Sequence, residues 1–504
     1  MELFITAFLA LLNVKILFLM ALGIIVGLIF GSIPGLTASM AVALILPMTY
    51  GMETVTGMSF LIALYVGGIS GGLLSAILLN IPGTPASIAT CFDGNPMAKQ
   101  GKAGLALATG IFASFVGGII GNIILIVFAP PLANLAIKFS PYEYFAVGCF
   151  AITVLATLSS GSFIKGLLSG CLGMFASMFG MSPVDGVMRF TFDLDFMAAG
   201  FAFLPAMLGA FALSDIFQDF AAGTFRDRTT VKTVDMGEYK INFADMMRQK
   251  LNFIRSALLG TFIGILPGIG GTTASIIAYS EAKRASKHPE KFGTGISDGI
   301  VASEASNNAC VGGAMVTMVT LGIPGDVVTA ILLGGLMIHN VQPGPLLMVT
   351  NPEIIYGLFA ALFLSNILFF VIEYSGVRLF IKVLKLQKYY LYPLIITMCL
   401  VGSYVNNNST FEVFTMLLFG LIGFLIVRFG YSLPCLVIGF VLGGMIETNF
   451  QRAMMFDNGD LTPLFTRPFS LVFMVLTVVS VFFAWRRERK LAARARAAEQ
   501  GPEL

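Results

Sequence analysis

Charge is scarce in this chain. Asp, Glu, Lys and Arg together make up 11% of its 504 residues, against about 25% in soluble domains. That composition cannot clothe a large water-soluble core, and it excludes an ordinary cytosolic fold. Histidine is scarcer, with only His288 and His339, and neither has a partner at metal or triad spacing. Zinc chemistry and His-activated nucleophiles are therefore not expected. The six cysteines (Cys91, Cys149, Cys171, Cys310, Cys399, Cys435) stand singly in apolar sequence. None has metal-ligand or redox spacing, and they read as small packing residues. A phosphate loop of the Gly-x-x-x-x-Gly-Lys-Ser/Thr type is missing, so the chain itself should not hydrolyse ATP. With no nucleophile–base pair and no metal set, an enzyme is not expected and no cofactor is called for. The net charge of +3 comes mostly from loops and the tail Arg486-Arg487-Glu488-Arg489-Lys490. It is a topology signal rather than a nucleic-acid patch. Glu2 and the lack of a basic region before the first apolar run predict no cleaved signal peptide.

What is abundant is apolar sequence, at 57% of the chain. Windows such as Leu105–Leu125 carry no charge and are long enough to span roughly 30 Å of hydrocarbon. Within this background four Pro-Gly interruptions form two matched pairs. Gly31-Ser32-Ile33-Pro34-Gly35-Leu36-Thr37-Ala38-Ser39 is answered by Gly264-Ile265-Leu266-Pro267-Gly268-Ile269-Gly270-Gly271-Thr272-Thr273-Ala274-Ser275. Asn80-Ile81-Pro82-Gly83-Thr84 is answered by Gly322-Ile323-Pro324-Gly325-Asp326. Pro/Gly-interrupted apolar segments at corresponding places in two halves mark the binding site of a secondary transporter.

The fold class expected is an all-α polytopic membrane protein with roughly twelve membrane segments, built as two inverted-topology repeats. Repeat one covers 1–217 and repeat two 250–466, joined by a cytoplasmic linker, 218–249, that holds Arg226, Asp227, Arg228, Lys232, Asp235, Glu238 and Lys240. A final helix and basic cytoplasmic tail occupy 467–504. Inversion follows from loop charge, because short cytoplasmic loops are rich in Lys and Arg. The loop Gly51–Gly57 has no basic residue, whereas its counterpart has Lys283, Arg284, Lys287 and Lys291. The bias reverses in the next pair, Lys99 and Lys102 against the uncharged Asn340–Pro345. It reverses again with Lys138 against Arg378, Lys382, Lys385 and Lys388. Residues 256–280 then enter and leave on one side as a re-entrant hairpin with Pro267-Gly268 at its tip, each arm about 13 residues or about 20 Å. Residues 21–50 form the inverted partner. Crossings are expected at 103–129, 142–158, 163–180 and 196–217, and at 347–373, 389–404, 411–428, 433–448 and 468–485. Pro82 and Pro324 either break crossing helices or form further hairpin tips.

Proline inside a helix removes a hydrogen bond. In lipid, the freed backbone is tolerated only against protein or a water-filled cavity. Residues just past each break form new helix N-termini suited to a carboxylate. The candidate substrate-binding set is therefore Pro34, Gly35, Thr37, Ser39, Asn80, Pro82, Gly83, Thr84, Pro267, Gly268, Gly270, Gly271, Thr272, Thr273, Pro324 and Gly325. Charge within the apolar sequence is confined to Asp93, Glu304 and Asp326, with Lys165 and Glu412 near helix ends. Buried membrane carboxylates are functional candidates by default. Glu304, Asn307 and Asn308 share a helix face at i, i+3 and i+4. With Asp326 they are the cation-coupling candidates, suited to a hard cation or to a proton on Glu304. The competing roles are a helix cap near the interface for Glu304 and an N-cap for Asp326. The glycine runs Gly67-Gly68 and Gly71-Gly72 are small faces for close helix approach.

These motifs, together with Phe92-Asp93-Gly94-Asn95-Pro96-Met97 and Glu304-Ala305-Ser306-Asn307-Asn308-Ala309, resemble the large membrane permease subunit of the tripartite tricarboxylate transporters, the TctA family. The resemblance covers nearly the whole chain. It implies a multi-pass permease of the bacterial inner membrane with two partners, a small four-helix membrane subunit and a periplasmic solute-binding protein. It further implies import of citrate or related carboxylates, driven by an ion gradient. Each charge moved through 100 mV costs about 2.3 kcal/mol, so a di- or tricarboxylate needs two or three accompanying cations to enter as a neutral load. Na⁺ is the expected coupling ion and H⁺ the alternative. An anion channel would share the helices but not need coupling carboxylates. The particular acid and the existence of a homodimer stay open at this level.

Overall fold

The computed structural model describes residues 2–158, 162–223, 236–384, 386 and 388–499. The linker charges Arg226, Asp227, Arg228, Lys232 and Asp235, and Lys385 of a basic loop, lie outside the described residues. Helix dominates because a lone apolar segment in hydrocarbon must satisfy its backbone internally. The chain opens with α1 (Glu2–Leu11), α2 (Val14–Ser32) and the short α3 (Ala38–Ile45), followed by α4 (Thr54–Leu79), α5 (Ile88–Met97) and α6 (Ala103–Ala136). α7 (Pro141–Leu158) and α8 (Phe163–Ser177) lead into a small antiparallel ribbon, β1 (Gly180–Met181) and β2 (Met188–Arg189), with Gly180 opposite Arg189. Short helices α9 (Phe203–Met207), α10 (Ser214–Ala222) and α11 (Phe243–Arg248) precede α12 (Lys250–Ile265) and α13 (Gly270–Ala285). α14 (Ser297–Leu321), α15 (Val327–Ile338), α16 (Leu347–Thr350) and α17 (Pro352–Val383) come next. α18 (Lys388–Asn407), α19 (Thr410–Arg428), α20 (Leu433–Phe456), α21 (Pro463–Thr466) and α22 (Pro468–Glu499) complete the order.

Seven helical stretches among the described residues are long and apolar enough to cross a membrane. They are α2, α4, the run from Pro85 through α6, α17, α19, α20 and the first part of α22. α14 is nearly as long as α4 but too polar to join them, and every residue from Gly299 to Thr320 is buried. Its Ser, Asn and Glu side chains face protein instead of lipid.

The chain forms two compact units. The first comprises 1–137 and 204–421, and the second 138–203 and 422–504. In the first, α2 lies along α4, and α14 lies between α6 and α12. Glycines make these approaches possible. A Cβ at Gly71 would sit 2.6 Å from the Leu28 carbonyl oxygen, and one at Gly121 2.5 Å from that of Ala309. In the second, α20 packs on α7 and α8, and α22 runs along α7. Tyr142 anchors it, donating to the Ala453 carbonyl at 3.0 Å and the Asp457 carboxylate at 2.9 Å.

The expected segments 142–158, 163–180, 389–404 and 411–428 match the bounds of α7, α8, α18 and α19 within a few residues, whereas α6 runs on past the expected 129 to Ala136 and α20 past the expected 448 to Phe456. Three further expectations shift. The hairpin arms about Pro267 are 16 residues each rather than about 13. The crossing expected at 347–373 begins at Pro352 and runs on to Val383, its last turns carrying Arg378 and Lys382 out of the apolar stretch. The stretch 196–217 is broken once: a 3-10 turn at Asp195–Met197 gives way to non-helical chain, and a continuous helical run then extends from Phe203 to Ala222 through α9, a π-helical turn at Leu208–Leu213 and α10. Gly200 takes φ +69° and ends the first turn.

Candidate functional site

Pro82 and Pro324 each follow a completed helix instead of kinking one. α4 ends on Asn80 at φ +58° and α14 on Gly322 at φ +69°. A left-handed residue closes a helix, and the proline two positions later cannot restart it. The glycines that follow are wedged against other helices. A Cβ at Gly83 would lie 3.0 Å from Gly72 Cα and collide with the Gly31 carbonyl. One at Gly325 would lie 2.7 Å from the Gly264 carbonyl oxygen. The second break thus rests on the helix leading into the first, and the fourth on the helix leading into the third. A direct bond ties the latter pair, with the Gly268 N–H donating to the Gly325 carbonyl at 2.7 Å.

New helices start beyond the breaks, with different caps. Thr37 caps α3, its hydroxyl oxygen accepting from the Met40 N–H at 3.1 Å and lying 2.9 Å from the Ser39 hydroxyl. Asp326 caps α15 in a reciprocal pair with Thr329, and the Tyr65 hydroxyl of α4 donates to its other oxygen. α13 has no side-chain cap at all. It opens with Gly270 at φ +65° and Gly271, followed by the half-buried Thr272 and Thr273. Facing that start is Asn307. A Cβ on Gly271 would collide with the Asn307 amide oxygen and approach Ala86 to 3.1 Å. Both amide atoms of Asn307 are buried and have no partner among the described residues, and the same holds for the Thr84 hydroxyl. The second break and the start of α13 therefore meet around buried polar groups that the protein leaves unsatisfied.

The tip of the first break has other neighbours. Pro34 is half-buried and Gly35, at φ +87°, is exposed. Lys388 lies against Gly35 and is paired with Asp219 at 2.5 Å.

Glu304 lies within α14 and is fully buried, which removes the interfacial cap as its role. Its carboxylate accepts from the Thr90 hydroxyl of α5 and the Ser114 hydroxyl of α6, the latter at 2.9 Å. Asn308 belongs to the same polar layer, accepting from the Ser70 hydroxyl of α4 at 2.8 Å and donating to the Glu304 carbonyl at 3.2 Å. Hydroxyls from α5 and α6 thus meet the Glu304 carboxylate, and α4 joins the layer through Asn308. Asn307, between them in sequence, turns instead to Gly271.

Asp93 has a different task. One oxygen accepts from three backbone N–H groups, Gly293 at 2.9 Å, Gly295 at 2.8 Å and Ile296 at 3.0 Å, and the other from the Tyr279 hydroxyl at 2.8 Å. With four donors converging on its carboxylate, Asp93 pins α5 to the loop before α14. Lys165 lies near the end of α19, donating to the Phe429 carbonyl at 2.7 Å and facing the Tyr431 ring. One buried acid escaped sequence reasoning. Glu373 of α17 is fully buried with both oxygens unpartnered among the described residues. It stands outside every motif, and its only sequence signal is a single acid in an apolar run.

A helical chain with several membrane-crossing stretches, broken helices and a buried polar layer is a multi-pass membrane protein. The chain belongs to the tripartite tricarboxylate transporter TctA family, whose pattern it matches over residues 17–438. It is therefore a component of a tripartite transport system with other subunits, in a family of transporters and not of enzymes. Two relatives are known from Agrobacterium vitis. One, described as an uncharacterized 52.8 kDa protein in the TAR-I ttuC' 3'region, is 32% identical over 462 residues, covering 92% of this chain and 91% of its own. The other, an uncharacterized protein in the TAR-II ttuC' 3'region, is 32% identical over 225 residues, covering 45% of this chain and 93% of its own. No solved structure matches the chain.

Proposed function

We propose that this chain is the permease subunit that imports a carboxylate across the bacterial inner membrane by cation-coupled alternating access. A periplasmic solute-binding protein delivers the substrate, and a small four-helix membrane subunit completes the assembly. The observation that carries this reading is the uncapped start of α13 faced by Asn307, with the Thr84 hydroxyl also unpartnered. Exposed helix N–H groups, a partial positive charge and an amide donor form a receptor for a carboxylate oxygen. Leaving such groups empty is costly in a buried site, and a substrate carboxylate relieves that cost.

The oxygen-rich layer around Glu304 supplies the cation side. Na⁺ is our preferred ion, because hydroxyl, amide and carboxylate oxygens suit a hard cation. H⁺ carried by Glu304 is the alternative. Recurring contacts support two repeats of opposite topology. Gly31 packs on the Gly68 carbonyl as Gly264 packs on that of Cys310, and Gly71 on Leu28 as Gly313 on Thr261. Tyr65 meets Asp326, whose neighbour Gly325 packs against Ala314 of α14, whereas Ser70, further along α4, meets Asn308, earlier in α14. α4 and α14 therefore run in opposite directions. Movement of the broken helices against the rest of the membrane domain is the form of alternating access this favours.

The test is uptake of labelled citrate and other carboxylates into proteoliposomes holding this chain with its small subunit and binding protein. A Na⁺ gradient or a pH gradient is imposed separately. Uptake that follows the Na⁺ gradient is expected. Uptake that follows only pH would move the coupling to a protonated acid, and carboxylate entry insensitive to either gradient would replace the symporter with a channel.

A further inference from the structure

Glu373 sits ten residues before the end of α17, with none of its carboxylate surface exposed. Its neighbours on the helix, Phe370 and Tyr374, pack into an apolar cluster with Phe112, Tyr239 and Phe253. Neither oxygen meets a hydrogen-bond donor, and among the described residues no Lys, Arg or His pairs with it. The titratable groups within its electrostatic reach are Glu304 of α14 and Tyr239 of the strap before α11. α6 contributes none along its whole length. The other helices packed on α17 bring Glu2 of α1, Lys15 of α2 and Tyr65 of α4; the first two are exposed and Tyr65 is committed to Asp326. Arg378, on the same helix, is exposed.

A bare carboxylate in such a place is strongly disfavoured. It persists only if a cation or a proton neutralises it. A metal is a poor fit: no group of three or more His, Cys, Asp or Glu side chains able to hold one occurs among the described residues, and the aromatic shell offers no set of oxygen ligands. Glu304 differs, because two hydroxyls stabilise its charged form. The pair thus divides into one acid equipped to be an anion and one equipped to be neutral, the arrangement that marks acid and base roles within a site.

We propose that Glu373 is a buried proton-binding site whose carboxyl group keeps its proton at neutral pH, because it is fully buried with no donor to either oxygen. With Glu304 anionic, a second negative charge on Glu373 is opposed further. With Glu304 neutralised by a cation, burial without donors still holds the proton on Glu373.

Infrared spectroscopy of the purified chain at neutral pH reads that proton. The carbonyl-stretch band of a protonated carboxylic acid should be present, should vanish in Glu373→Gln, and should survive in Glu304→Gln. Na⁺ addition should leave the band in place. If Glu373→Gln yields no folded protein, Glu304→Gln labelled with ¹³C-glutamate should show an isotope-shifted acid band. A spectrum in which neither Glu373→Gln nor the label alters an acid band overturns the proton site. A band that belongs to Glu373 but is lost on Na⁺ addition would also overturn it, because the proton would then depend on the charge at Glu304 and not on burial. Neither result depends on whether the assembly transports a carboxylate.

Discussion

Asp93 and Asn307 are both buried polar side chains near the same break, yet the structure gives them opposite tasks. Four donors converge on Asp93. Its truncation to alanine strands three backbone N–H groups and a tyrosine hydroxyl. Asp93→Ala should therefore lose at least about 3 kcal/mol of stability, read as a lower unfolding temperature in detergent. Asn307 makes no bond with its amide, so Asn307→Ala should unfold close to the wild-type temperature. If the amide holds the substrate carboxylate, a charge-assisted bond of about 1.5–3 kcal/mol is lost, and apparent affinity should fall roughly 10- to 100-fold. Uptake kinetics of the purified assembly separate the two variants. An Asn307→Ala variant with normal affinity would remove Asn307 from the substrate site.

At the scale of elements the breaks matter more than the helices they separate. Gly268 combines φ +75° with a donated hydrogen bond to the Gly325 carbonyl. Gly268→Leu imposes a strained backbone on a branched side chain and separates the third break from the fourth. It should abolish uptake while leaving the protein inserted in the membrane, checked by membrane fractionation beside the transport assay. This element-level pattern was legible because proline and glycine punctuate sequence strongly and the breaks came in pairs. The partners across the breaks were not legible. Nothing in the spacing says that Asn307 would turn to Gly271 while Asn308 meets Ser70, since a 100° step along the helix sends neighbours to different helices. Glu373 was missed for the same reason: its importance lies in what fails to surround it. The stretch 196–217 misled because its apolar content suits one membrane helix, whereas the chain turns at Gly200 and the helix starts only at Phe203.

For the whole molecule the decisive property is sidedness. The paired breaks serve alternating access if the halves enter the membrane from opposite faces, because only then do like elements from each half meet near its middle. Loop charge and the opposed directions of α4 and α14 both point that way. Two exposed loop residues test it. Glu53, before α4, and Lys287, after α13, occupy corresponding loops of the two halves and are both exposed. In a background with the native cysteines replaced, Glu53→Cys should react with a membrane-impermeant maleimide added to intact cells. Lys287→Cys should react only after permeabilisation, because its loop carries Lys283, Arg284, Lys287 and Lys291 and such loops stay cytoplasmic. Labelling of both from the same side would make the halves parallel. The N-terminus of α13 and the Glu304 layer would then approach the membrane from the same face as their counterparts in the first half, and a single inward-and-outward exchange of one site could not be built from these two halves.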